Sequence, residues 1–362
     1  MPLRPPETFE FAAVSCGRDQ SLALLTSGRL VGWGGEGSGN LPSGLPNYCA
    51  NEKANTSAVM LECPPSASIA AGYGVSFAVD REGRVHAWGV DTAGIGGPRA
   101  ALGMIAPTQL RGIESARSVS AREFLAAAVD AQGAIHTWGI NHDGSLGRAT
   151  VGMNAQPGRV DGVPPASNVA VGHGYMLALT REGDVYSWGA NAAGQLGVGH
   201  LASEAAPKRV ETKERLRSVA AGATHSLGVT VDGRVIAWGS NHRGQLGNEA
   251  HAYATEPVPV AFDERITAVA AGMHFSLALG ESGRVYAWGW NGRGQLGVED
   301  TQDRSRPARV PGIHGATSIA AGETHAVAIA AGRLFGWGNN NSGQIGSASR
   351  QQLAAVSFFP YT

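Results

Sequence analysis

The stretch AAGATHSLGVTVDGRVIAWGSNHRGQLG, Ala220–Gly247, decides the fold. Up to Gly222, LRSVAAG is short, apolar and alternating, which reads as a strand. HSLGVT reads as a second strand and RVIAWG as a third. Between them stands Asp232-Gly233, a pair that tolerates positive φ and marks a two-residue hairpin. The segments PKRV at Pro207, PVPV at Pro257 and PARV at Pro307 read as short outer strands, where proline costs least because no ladder donor is needed.

The same pattern recurs along the chain. Trp33, Trp88, Trp138, Trp188, Trp238, Trp288 and Trp337 each precede a Gly, at spacings of 55, 50, 50, 50, 50 and 49 residues. Of the eight Trp, only Trp290 falls outside the pattern. Gly17, Gly72, Gly172, Gly222, Gly272 and Gly322 keep one phase ahead of their Trp, and Arg122 holds that place in the third copy. GSLG at Gly144, GQLG at Gly194, Gly244 and Gly294, and GQIG at Gly343 follow. Internal repetition of this period signals a stacked or radial architecture.

A four-stranded unit of about 50 residues cannot bury both faces alone, and radial stacking does so. The reading is an all-β, seven-bladed β-propeller with four antiparallel strands per blade. It forms one domain over residues 9–362 after a short tail at 1–8. Each repeated Trp is expected between blades, contributing about 4–6 kcal/mol gross from roughly 150–250 Å² of buried surface. FEFAAVSCG, Phe9 to Gly17, matches LRSVAAG. It is expected to complete the last blade beside the C-terminal strand containing Val356, leaving no free edge.

On these motifs the chain resembles the regulator of chromosome condensation family, over residues 9 to about 359. The resemblance rests on seven copies of near-constant period together with the A-G-x-x-H-S-L segment, as at Ala221–Leu227, and the W-G-x-N-x-x-G-Q-L-G segment, as at Trp238–Gly247. It implies the seven-bladed propeller, and it implies work by binding another protein. Family members include an exchange factor for a nuclear GTPase, an inhibitor of β-lactamases and an ultraviolet-B photoreceptor, so the fold does not settle the function. The photoreceptor reading needs clustered extra Trp, and only Trp290 is spare. The first two copies depart most, with GGEGSGNLP from Gly34 and GVDTAGIGG in place of the usual loop.

The chain has 362 residues, 43% hydrophobic and 16% charged, with net charge −1. This composition suits a soluble globular protein and gives no basic patch for nucleic acid. No apolar run reaches membrane-spanning length and MPLRPPETFEF has no signal core, so no membrane partner is expected. The cytoplasm is the expected compartment, with an exported effector lacking a conventional signal as the alternative. Cys16, Cys49 and Cys63 read as free thiols, with a Cys49–Cys63 pair as the minor alternative.

No catalytic constellation, metal motif or cofactor loop stands out. His225 and His325 share a column with Gln20, Val75, Leu125, Tyr175 and Phe275, which reads as a packing position. His86 and His136 read as structural or solvent-facing. The GxNxxG loops follow a strand but open no helix, so they are not dinucleotide loops.

Strand direction puts two loops per blade at one end, the top, and the tight hairpins at the bottom. The expected partner-binding residues are the top tips Arg18, Asp19, Tyr73, Glu123, Phe124, His173, Met273, His274 and Glu323, with Arg243, Trp290 and Arg293 in neighbouring loops. They mix aromatic, Met and charged side chains, as interface centres do. The alternative at each tip is a side chain leaning on its own blade. Below, Arg29, Arg84, Arg234, Arg284 and Arg333 follow the hairpin Gly, with Glu82, Asp232 and Glu281 beside them as expected partners. The leading expectation is a monomeric, non-enzymatic protein-interaction propeller for a folded protein partner. The alternatives are a guanine-nucleotide exchange factor for a small GTPase and an enzyme inhibitor.

Overall fold

The computed structural model describes residues 9–35, 55–90, 95, 104–249, 252–347 and 349–358. Cys49, the tail at 1–8 and most of the two divergent loops of copies one and two lie outside these residues. The described strands form seven four-stranded antiparallel sheets, at 11–61, 66–109, 116–160, 166–210, 216–260, 266–309 and 316–358, here blades one to seven. Among the described residues no helix is long and apolar enough to cross a membrane.

Blade five shows how the sequence sets the strands. Leu216–Ala221 is innermost, followed outward by His225–Thr230, Val235–Ser240 and Tyr253–Val260. The Asp232-Gly233 turn closes the middle hairpin, with Val229 opposite Val235. Gly239 after Trp238 takes φ 97°, and a Cβ there would lie 2.5 Å from the Thr224 carbonyl oxygen. Only glycine meets both demands, which is why the Trp is followed by Gly in every copy. The outer strand carries Pro257 and Pro259, which withhold donors from an otherwise open edge.

All seven repeated Trp are buried. From blade three onward, each blade is fastened to the next by its loop after the Trp-Gly strand. Gln195 O accepts from Trp238 Nε1 at 2.9 Å and from Ser226 Oγ at 2.8 Å. Gln245 O accepts from Trp288 Nε1 and Ser276 Oγ, each at 2.8 Å. Gln344 O of blade seven accepts from Trp33 Nε1 at 2.9 Å and Ser21 Oγ at 2.8 Å of blade one.

The expected pairing of the terminal strands does not occur. Phe11–Cys16 pairs with Gln20–Leu25 of its own repeat, with Val14 opposite Ala23. Gln351–Phe358 pairs with Arg333–Asn339, with Val356 opposite Gly336. The reason is radial. Ala316–Ala321 already fills the inner position of blade seven, and two strands stand between it and the outer strand. Each repeat supplies a full set of four, so the ring closes face to face and not by strand exchange.

Closure uses the same side-chain seam as every other junction. The column holding His225 meets, in the next blade, the column holding Ser226. Four pairs are polar. Gln20 Nε2 lies 3.3 Å from Ser76 Oγ, Tyr175 Oη 3.1 Å from Ser226 Oγ, His225 Nε2 2.9 Å from Ser276 Oγ, and His325 Nε2 2.9 Å from Ser21 Oγ. The other three are apolar and share core clusters: Val75 with Ala126, Leu125 with Met176, and Phe275 with Ala326. A polar residue therefore faces Ser in every case, and an apolar one faces an apolar residue. The packing reading of this column was right for burial and incomplete in chemistry.

Candidate functional site

The tips between the first and second strand of each blade ring the axis at the top. Neighbouring tips are joined through backbone: Ala223 N–H donates to Met273 O at 3.3 Å, Met273 N–H to Glu323 O at 3.1 Å, and Glu323 N–H to Gly17 O at 3.3 Å. The approach is close enough that a Cβ on Gly222 would lie 2.8 Å from Gly272 O, and one on Gly322 2.6 Å from Gly17 O. This is the physical reason for glycine in that column. Glu123 and Phe124 form the two-residue turn between Ala116–Arg122 and Leu125–Asp130, with Glu123 left-handed at φ 48°.

Most of the expected partner-binding residues gather at this mouth. Arg18 lies 3.5 Å from Asp19 and 3.8 Å from Glu323, with its guanidinium 4.7 Å above the Tyr73 ring centre. Tyr73 meets Phe124 edge to face at 5.2 Å. His173 Nδ1 is 3.1 Å from Glu123 Oε1. Arg18 stands exposed, while Asp19, Tyr73, Glu123, Phe124, His173, Met273, His274 and Glu323 are half-buried, so the tips lean on one another. A second group lies at blade six, where His274 meets Trp290 edge to face at 6.4 Å. Arg243 reaches Asp303 at 3.5 Å. Arg293 is exposed in the blade-six loop and joins neither group through a side-chain contact.

Arg122 was visible in the sequence as the exception to the glycine column, but was not placed among the site residues. Its Nη2 donates to Ala271 O at 2.7 Å, tying blade three to blade six across the axis. Its Nη1 is buried without a hydrogen-bond partner. Beneath the mouth, a void of about 10 Å³ is lined by Cys16, Arg18, Tyr73, Arg122, Glu123 and Glu323 among others. That is room for one water and not for a metabolite.

The electrostatics follow from burial. Burial pushes the Glu123 carboxyl up, the like charge of Glu323 adds to this, and Arg122 and Arg18 oppose it. Burial also raises Glu323, against the pull of Arg18 and Arg122. Asp19 is raised by burial against Arg18. Burial, then Arg122, holds the His173 imidazole down to about 3, so it is neutral at ordinary pH.

Among the described residues the bottom face carries local ion pairs and no comparable cluster. Arg84 pairs with Asp80 and Glu82, Arg234 with Asp232 and Glu214, and Arg284 with Glu264, whereas Glu281 was the expected neighbour. His86 and His136 bind Asp80 at 2.8 Å and Asp130 at 3.1 Å, bracing two hairpins.

These features define a seven-bladed propeller with a tightly built, charged and aromatic mouth at one end of its axis. The profile of the RCC1-like domain family matches residues 96–360, and the chain belongs to that family. Among solved structures it is similar to human WBSCR16, with a TM-score of 0.79 and 24% identity over 91% of this chain and 94% of that one. It is also similar to Prp20p of Saccharomyces cerevisiae, a structure described with binding properties to Gsp1p and histones. There the TM-score is 0.74 and the identity 21%, over 88% and 82% of the two chains. The yeast RCC1 (Prp20) bound by Kap60 gives a TM-score of 0.76 at 20% identity, over 99% and 88%.

Proposed function

We propose that this chain is a binding propeller without catalytic chemistry of its own, presenting the top mouth to one folded protein partner. The observation that carries this reading is the convergence of tips from different blades into one braced patch, with Arg18 over Tyr73 and Tyr73 against Phe124. Such a surface is ordered before the partner arrives and loses little entropy on binding. Aromatic and Arg side chains are also the residues that dominate interface energetics. The relatives support the class of partner: Prp20p is described with binding to Gsp1p and histones, and yeast RCC1 as bound by Kap60. The thiols of Cys16 and Cys63 are unpaired, which suits a reducing compartment such as the cytoplasm.

Guanine-nucleotide exchange on a small GTPase is the second reading, supported by family membership. One experiment separates the two. Lysate of the source cell is passed over the purified chain under nucleotide-free and GTP-loaded conditions. The variant Tyr73→Ala/Phe124→Ala/Met273→Ala is run beside it. Capture that is indifferent to nucleotide and lost in the variant supports the binding reading. Enrichment of a GTPase only without nucleotide promotes exchange. A well-folded triple variant that captures the partner unchanged sinks the top-face assignment.

A further inference from the structure

We propose that the top mouth is also a cation site, in which Glu123, His173 and Glu323 ligate one divalent first-row transition ion such as Zn²⁺. The three side chains belong to blades three, four and seven, and their ligating atoms all lie within 4.8 Å of one another. Two ligands about 2.1 Å from a tetrahedral Zn²⁺ stand about 3.4 Å apart. His173 Nδ1 and Glu123 Oε1, at 3.1 Å, already have that spacing. Glu323 lies within 4.8 Å of the other two ligating atoms, so it has at most about 1.4 Å to close.

The donor set selects the class of ion. One imidazole with two carboxylates suits zinc and its neighbours. Mg²⁺ and Ca²⁺ favour shells of oxygen alone.

Two guanidiniums border the cluster, and neither blocks it. Arg122 is held by Ala271 O across the axis. Arg18 is 3.8 Å from Glu323 with its side chain 46% exposed, a contact of the kind that breaks at little cost. Counting Asp19, three carboxylates face these two arginines, so the mouth is negative before the ion arrives. Three protein ligands would leave at least one coordination position for water. The site does not depend on the partner reading, and the chain alone should bind the ion.

The test is calorimetric titration of the full chain, stripped with EDTA, with ZnCl₂ and separately with MgCl₂. The expected result is one equivalent of Zn²⁺ per chain, a rise in Tm with Zn²⁺, and no response to Mg²⁺. His173→Ala and the near-isosteric Glu323→Gln should each weaken Zn²⁺ binding at least about tenfold, the scale of losing support at a metal site. His142→Ala, which removes an exposed His–Asp pair on the blade-three loop, should bind as the wild type. Circular dichroism and Tm without metal establish that each variant is folded, and Glu323→Gln keeps the test intact if His173→Ala is not. Absence of stoichiometric binding, or wild-type affinity in a folded Glu323→Gln or His173→Ala, overturns the proposal.

Discussion

Changing Ser276 to Ala removes the partner of His225 across the seam between blades five and six. Ser276 Oγ donates its hydrogen to Gln245 O at 2.8 Å, so its lone pair accepts from His225 Nε2–H at 2.9 Å. His225 Nδ1 has no partner of its own, so the substitution leaves a fully buried imidazole with neither nitrogen satisfied. An orphaned buried donor costs about 1–3 kcal/mol. Gln245 O is less affected, because Trp288 Nε1 still donates to it. The other single change, His225→Phe, leaves Ser276 bonded to Gln245 O and is expected to cost about 1 kcal/mol from lost hydrogen bonding. The double change His225→Phe/Ser276→Ala recreates the seam found between Phe275 and Ala326 at the next junction. The ring also has the space: Phe275 lies over Gly272 as His225 lies over Gly222. The double variant should therefore be more stable than the sum of the singles by about 1–2 kcal/mol, within the range for contacting pairs. Calorimetric unfolding of the four proteins in one buffer closes the cycle. Coupling within about 0.3 kcal/mol of zero, the scatter expected of independent sites, would refute the seam argument.

Trp238→Phe should destabilise more than Trp138→Phe by about 0.5–1.5 kcal/mol, because Trp238 Nε1 donates to Gln195 O while Trp138 Nε1 is buried without a partner; denaturation midpoints of the two variants decide it. Burial holds His173, His225 and His325 down to about 3, so between that value and about 6.5 the unfolded chain binds more protons than the folded one. Stability from these groups is present above about pH 6.5 and falls as pH falls toward 3, and His225→Phe/Ser276→Ala should show a shallower loss of Tm from pH 6.5 to 5. Arg122→Gly, the residue of the other six copies, should raise the Glu123 and Glu323 carboxyls further, since the guanidinium pulls both down; carboxyl NMR titration reads the direction, and unchanged midpoints would remove Arg122 from the mouth's electrostatics.

Architecture was legible because repetition states it many times over: Trp spacing and the hairpin Gly fix strands in every copy, and a proline marks the outer strand in five of the seven. The terminal strands were misplaced through phase. Starting the count at Phe11 makes 11–61 a complete blade, and no vacancy remains in blade seven for Phe11–Cys16 to fill. The seam pairs were also in the sequence, since Gln20, Tyr175, His225 and His325 each precede a copy with Ser in the next column. Reading the column alone, with its Phe and Leu, hid this; the information lies between columns of neighbouring copies. The mouth was legible only in part. Its tips could be named from strand direction, but Glu123, His173 and Glu323 are 50 and 150 residues apart, and a search for locally spaced ligands cannot join them. Only convergence on the axis does. Arg122 was visible as an exception, while its reach to Ala271 required the ring.

The seam and the mouth are adjacent in the chain, and this links stability to binding. In blade five Ala223 and Thr224 are tip residues and His225 is the seam residue; in blade seven Glu323 and Thr324 precede His325. In blades one, four, five and seven the tip is therefore anchored within two residues by a polar side chain that meets Ser of the next blade, and in blades two, three and six by an apolar one. Connections of a few residues already place successive blades side by side, as between Leu61 and Ser66. The seams add the seating of each blade on the next, because a slipped blade would bury an orphaned polar group at about 1–3 kcal/mol. The pairs thus help to fix how neighbouring blades sit, and through that how their tips meet at the axis. Arg18 finds Glu323 and Tyr73 because His325 has found Ser21 and Gln20 has found Ser76. A partner reading the mouth reads an arrangement that the buried seams have already selected.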